Sequence, residues 1–192
     1  MTLHRSTLRR PTLRRSTRLL TVVAVTAAGL TAAVPARAAS YCGLVWGSTP
    51  KAAAASTTAQ LVGVRAGQQP CYDRLVLDLR SRVTGFDVRY VPQITRDGSG
   101  TVVPTRGGAA LQVVVQAPAY DDAGHATYAP ADPAELAPVS SFRTFRQVVW
   151  AQSFEGQSTV GVGVRARLPF RAFVLTGPGD GSRLVVDVAH RW

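Results

Sequence analysis

The sequence predicts an all-β fold, an antiparallel β-sandwich of two small sheets with little helix outside the first 38 residues. Three observations support this prediction. Apolar and polar residues alternate in segment after segment, as they do in half-buried strands. Turn-forming residues, mostly Gly, Pro and Asp, separate these segments at short intervals. Helical periodicity is almost absent from residues 39–192.

A six-residue pattern occurs twice, as RLVLDL at 74–79 and as RLVVDV at 183–188. A shorter pattern, GVRA, precedes each copy, at 63–66 and at 163–166. Side chains two residues apart share one face of a strand. In each copy the Arg, the central Val and the Asp therefore point one way, and the remaining aliphatic residues point the other. The order of the patterns favours two related halves of one β domain.

Two arrangements of the copies fit this pattern. In the first, they are neighbouring antiparallel strands, and the register places Arg74 opposite Asp187 and Arg183 opposite Asp78. Opposite charges that face each other across two strands attract, so this arrangement predicts two reciprocal ion pairs. In the second, the copies lie on different sheets related by a pseudo-twofold axis, and each arginine pairs elsewhere.

The predicted extended segments are, in chain order, 60–66, 72–80, 86–91, 111–116, 142–150, 159–165, 170–175 and 183–188. A tight turn at Asp97-Gly98 is predicted between Ile94 and the pair of valines at 102–103. The glycines at 161 and 163 would let another backbone or a ligand approach the strand closely. Residues 51–58 are interpreted as a connector or one weak helical turn.

The segment 118–141 departs from this alternation. It contains four prolines, two adjacent aspartates and a possible single helical turn at 133–136. Long irregular segments of compact domains are usually functional or mobile. We therefore expect one of those two roles for this segment.

Residues 1–38 are predicted to be a secretory signal peptide. Six arginines and no acidic residue occupy the first 18 positions, an apolar run follows at 19–34, and Ala36-Arg37-Ala38 offers a cleavage site. The apolar run is short against the roughly 20 residues of a membrane-spanning helix, which favours cleavage over a retained anchor. The general secretory route is favoured over the twin-arginine route, and Cys42 lacks a lipoprotein signature.

These features predict a secreted protein of the extracellular cell envelope, without a stable membrane anchor after cleavage. The predicted organisation is a signal peptide at 1–38, an N-terminal arm and connector at 39–59, and a β domain at 60–192.

The basic charge of the chain belongs mostly to this leader. Residues 1–38 hold seven of the 22 basic residues and none of the 11 acidic ones, which leaves a net charge of +4 on residues 39–192. That balance gives no reason to expect nucleic-acid binding. The remaining basic residues are Lys51 and fourteen arginines. The planar guanidinium suits carboxylates and phosphates, although arginine-rich codon usage in a high-GC bacterium would also explain the excess.

The two cysteines, Cys42 and Cys71, predict a disulfide, because an even number of cysteines in an exported chain usually pairs. A metal pair assisted by His125 and His190 is the less favoured interpretation. No cofactor and no metal are predicted.

The sequence contains no catalytic motif that we recognise, whether a nucleophile elbow, a zinc-protease signature or a phosphate-binding loop. His125 lies near Asp121 and Asp122, where a solvated loop histidine is favoured over a His/Asp site. Asp78 and Asp187 are expected to pair with arginines. We therefore expect no catalytic residues and no enzyme activity.

The chain resembles the actinobacterial AMIN-like secreted proteins and lipoproteins, relatives of the AMIN domain found beside cell-wall amidases and pilus secretins. The matching segments spread over most of residues 42–192: 42–48, 64–67, 71–76, 154–156, 161–165, 168–170 and 183–187. The resemblance implies a sandwich of two small sheets and a role in binding peptidoglycan or in targeting to the envelope. In AMIN architectures the activity belongs to a separate catalytic domain, so amidase activity is not expected here.

The leading hypothesis is a non-catalytic envelope-binding module whose partner is a cell-wall polymer, in the first place peptidoglycan. No nucleic-acid partner is expected. The candidate ligand-binding residues are three arginines and three aromatic residues: Arg65, Arg165, Arg167, Trp150, Tyr120 and Tyr128. The alternative is that these are scattered surface arginines and core aromatics. A protein–protein adaptor that pairs a sheet edge with an envelope protein, and a small hydrolase with an unrecognised site, are the other functional hypotheses.

Overall fold

Two antiparallel sheets pack against each other around one hydrophobic core in this computed structural model, which describes residues 43–54, 59–82 and 85–192. All described residues belong to one unit of the chain, 38–192. The predicted all-β sandwich is confirmed. No helix long and apolar enough to cross a membrane is found in the part of the chain that the structure describes.

Eleven strands are present in the described residues. They are β1 Lys51–Ala53, β2 Gln60–Gln68, β3 Tyr72–Arg80, β4 Phe86–Val91, β5 Ile94–Thr95, β6 Val102–Val103, β7 Ala109–Val115, β8 Phe145–Phe154, β9 Gln157–Val164, β10 Phe170–Thr176 and β11 Ser182–Ala189. One sheet has the order β1-β4-β7-β9-β8, the second has the order β10-β11-β3-β2, and β5 and β6 form a separate hairpin.

Aliphatic side chains from both sheets form the core. In β3 and β11 the residues between the polar positions of the repeated pattern are buried: Leu75, Leu77, Leu79, Leu184, Val186 and Val188. The five-stranded sheet contributes residues such as Leu111, Val113, Val160, Val162 and Phe145. The alternation seen in the sequence therefore identifies the core faces correctly, because successive side chains of a strand point to opposite faces.

The two copies of the repeated pattern are neighbouring antiparallel strands, β3 and β11. The register places Arg74 opposite Asp187 and Arg183 opposite Asp78, as the first predicted arrangement requires. Arg74 donates two hydrogen bonds to Asp187, at 2.6 and 2.9 Å. The pairing of the copies and one of the two ion pairs are thus confirmed.

The second ion pair, between Arg183 and Asp78, was predicted wrongly. Asp78 instead accepts hydrogen bonds from Arg65 of β2, at 2.7 and 3.0 Å. Gly63 lies opposite Asp78 and has no side chain, so Arg65, two residues further along the same face, can reach the carboxylate. Arg183 donates to the Gly177 carbonyl oxygen at 3.1 Å.

The segment between β4 and β7 folds back over the outer face of the five-stranded sheet. A Cβ atom on Gly163 would lie 1.7 Å from the Arg106 carbonyl oxygen, and one on Gly161 would lie 2.7 Å from Ile94 of the β5–β6 hairpin. The close approach predicted at these glycines is therefore made by the protein's own chain. The predicted tight turn at 97–98 lies in the β5–β6 hairpin.

The segment 118–141 runs along the edge of β8. Leu136 N–H donates to the Val148 carbonyl at 2.8 Å, and Trp150 N–H donates to the Pro133 carbonyl at 2.7 Å. Val139 of the segment is buried. The segment thus covers an edge strand whose hydrogen-bonding groups would otherwise face solvent, a packing role that we did not expect from its composition.

Two local expectations need correction. Residues 51–53 form β1, which pairs with β4, in place of the predicted connector or helical turn; residues 55–58 lie outside the described part. Residues 133–136 do not form a helical turn, because Asp132 Oδ1 accepts the Ala134 N–H at 2.8 Å and holds a tight turn there.

Candidate functional site

Six arginines lie in the connections and strand ends at one end of the sandwich, which we call the arginine end. They are Arg106, Arg143, Arg146, Arg165, Arg167 and Arg191. The chain segments that carry them, 104–108, 142–146, 165–169 and 190–192, contain no acidic residue. This end of the molecule therefore carries a surplus of positive charge.

The strand registers bring these segments together. β7 and β8 both begin opposite Val164, the last residue of β9. In the other sheet, β11 ends at Ala189, opposite the first residue of β3, Tyr72. Thr144 Oγ1 donates to the Ala189 carbonyl at 3.1 Å, and Arg165 N–H donates to the Thr144 carbonyl at 2.9 Å. These hydrogen bonds join the ends of the two sheets and fix the connections that hold the arginines.

Most partners of these guanidinium groups are uncharged. Arg146 donates to the carbonyl oxygens of Phe142 and Phe145 at 3.1 and 2.9 Å, and Arg165 donates to the His190 carbonyl. Among the described residues, Arg106 has an acidic partner, Glu135, at 2.6 Å. Bonds to carbonyl groups leave the positive charge in place and use part of the five donors of each guanidinium.

The opposite end of the sandwich, which we call the acidic end, carries more acidic than basic residues. Its connections, 116–126, 155–156 and 177–181, carry four acidic residues: Asp121, Asp122, Glu155 and Asp180. Arg80 and Arg82 are the basic residues that follow β3 to this end. Positive charge therefore predominates in the connections at one end of the strands, and negative charge predominates in those at the other end.

A pocket of about 370 Å³ opens at the arginine end, next to Tyr90 and Arg167. The Tyr90 hydroxyl donates to the Leu168 carbonyl at 2.9 Å and accepts the Leu168 N–H at 3.0 Å. Burial raises the pKa of Tyr90, so its hydroxyl stays protonated. The Arg167 guanidinium carbon lies 5.2 Å from the centre of the Tyr90 ring, within cation–π range.

Two further contacts position Arg167. Its guanidinium donates to the Ser48 carbonyl at 3.2 Å, which joins it to the N-terminal arm. The Trp192 indole N–H donates to the Arg167 carbonyl at 3.2 Å, and the Trp192 side chain remains 70% exposed. An exposed arginine and an exposed indole therefore lie beside the pocket.

Of the three arginines that the sequence analysis selected, Arg165 and Arg167 lie at the arginine end. Arg65 does not, because it lies on the outer face of β2 and is held by Asp78. Glycines lie near all three arginines in the sequence, but Gly161 and Gly163 contact the protein's own chain. The structure thus separates Arg65 from the other two.

The three selected aromatic residues are distributed over the β8 edge and the acidic end. Tyr128 and Trp150 pack edge to face, with ring centres 5.4 Å apart, and burial raises the pKa of Tyr128. The Tyr120 hydroxyl accepts the Gly156 N–H at 3.3 Å, next to the β8–β9 turn. The three arginines and three aromatics do not form a single surface.

Other residues at the arginine end were not selected from the sequence: Tyr90, Arg106, Arg143, Arg146, His190, Arg191 and Trp192. They come from four separate segments of the chain, and their proximity depends on the strand order. A usable signal exists, since each arginine of the set lies within three residues of a strand end.

Cys71 lies in the described part of the chain and its predicted partner, Cys42, lies outside it, so the pairing of these two cysteines stays a prediction. In the described part of the chain, no group of three or more His, Cys, Asp or Glu side chains is placed to hold a metal ion.

A family model described as "AMIN-like domain" matches residues 59–190. The match runs from the residue before β2 to the residue after β11, and so includes both main sheets except β1. It also includes five of the six arginines of the arginine end, and Arg191 lies just beyond it. No curated protein and no solved structure matches the chain.

Proposed function

The chain belongs to the AMIN-like domain family, and from this premise we propose that it is a secreted, non-catalytic module that binds a wall polymer of the cell envelope, in the first place peptidoglycan. Family membership supports the envelope role, and the signal-peptide pattern of residues 1–38 supports export. No residue is assigned a catalytic role.

The observation that carries this proposal is the arginine end. The segments that meet there carry six arginines and no acidic residue, and Arg106 is the member of this set that pairs with a carboxylate, from Glu135 of another segment. Wall polymers present carboxylate and phosphate groups along a sugar or polyol chain, and the guanidinium fork binds both kinds of group with charge-assisted hydrogen bonds.

Two aromatic groups support contact with the polymer chain itself. The pocket beside Arg167 has the Tyr90 ring in its lining, and Trp192 is 70% exposed next to it. Aromatic rings with a polar edge bind amphipathic ligands, because the ring face is apolar and the edge can form hydrogen bonds. The pocket and Trp192 therefore provide a place for a sugar next to the positive charge.

An adaptor that adds a partner strand to a sheet edge is less well supported. The edge of β8 is covered by the segment 118–141, through hydrogen bonds at Val148 and Trp150. The edges that remain belong to β2, β10 and the three-residue β1. The adaptor stays an alternative that the binding experiment below can favour.

The first prediction is that the exported protein binds purified cell-wall sacculi through the arginine end. Replacing Arg165 and Arg167 by Gln should weaken binding about tenfold or more, because charge-assisted hydrogen bonds contribute about 1.5–3 kcal/mol each. Binding of the unaltered protein should also weaken at high NaCl, because salt screens exposed charges. Co-sedimentation at increasing sacculus concentration measures both effects.

The matched control is the variant in which Arg80 and Arg82, at the acidic end, are replaced by Gln. It loses the same charge, so a general electrostatic attraction would weaken equally in both variants. Binding that stays unchanged after Arg165 and Arg167 are replaced would contradict the proposal. If sacculi do not retain the protein at all, the result would favour the protein–protein adaptor hypothesis.

A further inference from the structure

A second pocket, of about 350 Å³, opens at the arginine end between the β2–β3 turn and the end of the chain. Its lining residues are Pro70, Cys71, Arg143, His190 and Arg191. Two of them carry guanidinium groups on exposed residues, one carries an imidazole, and none is acidic. The side chains that line this pocket therefore favour the binding of an anion.

His190 is held in one orientation by a buried carboxylate. Its Nε2 atom lies 2.9 Å from Asp73 Oδ1, and Asp73 is fully buried. The other oxygen of Asp73 accepts the N–H groups of Thr144 and Phe145, at 2.6 and 2.9 Å. The backbone of His190 is also fixed, because its N–H donates to the Cys71 carbonyl at 2.9 Å.

This arrangement uses one ring nitrogen of His190 and leaves the second without a partner in the described part of the chain. An ionised carboxylate accepts hydrogen bonds, so Nε2 is the donor to Asp73. The Nδ1 atom is buried and has no hydrogen-bond partner among the residues that the structure describes. The His190 side chain is 10% exposed. A buried polar atom without a partner needs an explanation, and a bound group is a common one.

We propose that this pocket is an anion subsite that takes one carboxylate or phosphate group, with Arg143 and Arg191 supplying the charge and the doubly protonated His190 donating a hydrogen bond from Nδ1. The proposal rests on the proposed function and deepens it, because it names the place where an acidic group of the polymer binds. When His190 carries protons on both nitrogens, it donates to Asp73 and to the anion at once.

The same Asp–His pair could in principle serve as a general base, as in hydrolases that activate a hydroxyl group. None of the residues that line the pocket is a serine or threonine. The hydroxyl of Thr144 is buried and donates to the Ala189 carbonyl. The described lining therefore offers no hydroxyl side chain as a nucleophile for this pair, and we assign the pair to binding.

Nitrogen-15 NMR of the histidine side chains tests this subsite. Inorganic phosphate and acetate are titrated separately into the exported protein, and the ring nitrogens of His190 and His125 are followed. His125 is the internal control, because it lies at the acidic end with a side chain that is 80% exposed. We expect a saturable shift of the His190 signals and a much smaller, unsaturated one for His125.

Replacing both Arg143 and Arg191 by Gln should weaken the apparent affinity at His190 at least tenfold, whereas Arg80→Gln should leave it unchanged. Arg80 is a suitable control because β3 separates it from Tyr72 by about 26 Å. Glycerol phosphate and N-acetylmuramic acid, titrated in the same way, distinguish a polyol phosphate source from a sugar carboxylate source. His190 signals that do not move with any of these anions, or that move in parallel with His125, would overturn the proposal.

The subsite and the proposed function can fail separately. Retention on sacculi together with an unresponsive His190 would reject the subsite and leave polymer binding in place. A saturable His190 response in a protein that sacculi do not retain would support the subsite and reject polymer binding. The two experiments therefore test different statements.

Discussion

At the scale of single residues, Asp78 and Asp187 show how one motif position acquires two environments. Both are the aspartate of the repeated pattern, and both pair with arginine. Asp187 is fully buried and is bound by Arg74 and Arg171, at 2.6 and 2.8 Å. The side chain of Asp78 is 31% exposed and is bound by Arg65, which is itself 56% exposed. Burial therefore differs while the chemistry of the pair stays the same.

We expect Asp187→Asn to lower the free energy of unfolding by about 3 kcal/mol, because it removes the acidic partner of a buried pair and leaves two arginines without compensation. Asp78→Asn removes the same charge from an exposed pair, and we expect a loss of about 0–1 kcal/mol. Urea unfolding of both variants provides the comparison. Similar losses in the two variants would show that burial does not set the strength of these pairs.

At the scale of elements, the β4–β7 connection and β9 depend on each other through glycine. The Arg106 carbonyl oxygen lies where a Cβ of residue 163 would be, at 1.7 Å. That oxygen belongs to the backbone, so it cannot move aside as the end of a flexible side chain could. The connection, which also carries Arg106 into the arginine end, can therefore lie on this strand only if residue 163 is glycine.

Gly163→Ala should accordingly destabilise the protein by about 2 kcal/mol or more, because the backbone of the connection must shift to admit the methyl group. Gly67→Ala is the matched control. Gly67 is also a strand glycine, and a Cβ there meets no atom within 4 Å. We expect its effect to stay within about 0.5 kcal/mol. Equal stability of the two variants, measured by urea unfolding, would contradict the tight contact at residue 163.

At the scale of the whole molecule, the N-terminal arm is attached to the four-stranded sheet. The Trp46 ring packs edge to face on Tyr72, with centres 5.5 Å apart, and the Arg171 guanidinium lies 4.2 Å from the Trp46 ring centre. The Phe170 N–H donates to the Gly47 carbonyl at 2.9 Å. The arm therefore approaches the domain close to Cys71, where the predicted disulfide would fasten it.

The disulfide prediction can be tested on the exported, unreduced protein. Mass spectrometry should show the loss of two hydrogens and a peptide that links Cys42 to Cys71. Replacing both cysteines by serine should cost about 3–4 kcal/mol in the chain-entropy model, because the bond closes a loop of about 30 residues. Free thiols at both positions in the native protein would contradict the tether.

The sequence by itself determined the fold class and most strands. Alternation of apolar and polar residues is a local property of a strand, so it identified β3 and β4 with their observed ends and placed Leu75 and Leu184 in the core. It also offered the observed register between the repeated patterns as one of two arrangements, because matching charges at equal spacing fit one alignment of antiparallel strands. The turn-forming pair Asp97-Gly98 predicted the β5–β6 hairpin, because the tendency to form a turn is also a local property of the sequence.

The tertiary structure decided which of these residues meet. Asp78 pairs with Arg65 because Gly63 leaves space on the neighbouring strand, and no local pattern specifies that neighbour. The arginine end depends on the order of nine strands in two sheets, which brings residues 106, 143, 165 and 191 together from distant parts of the chain. Contacts across sheets result from the packing of the complete core, whereas periodicity along the sequence reports one strand at a time.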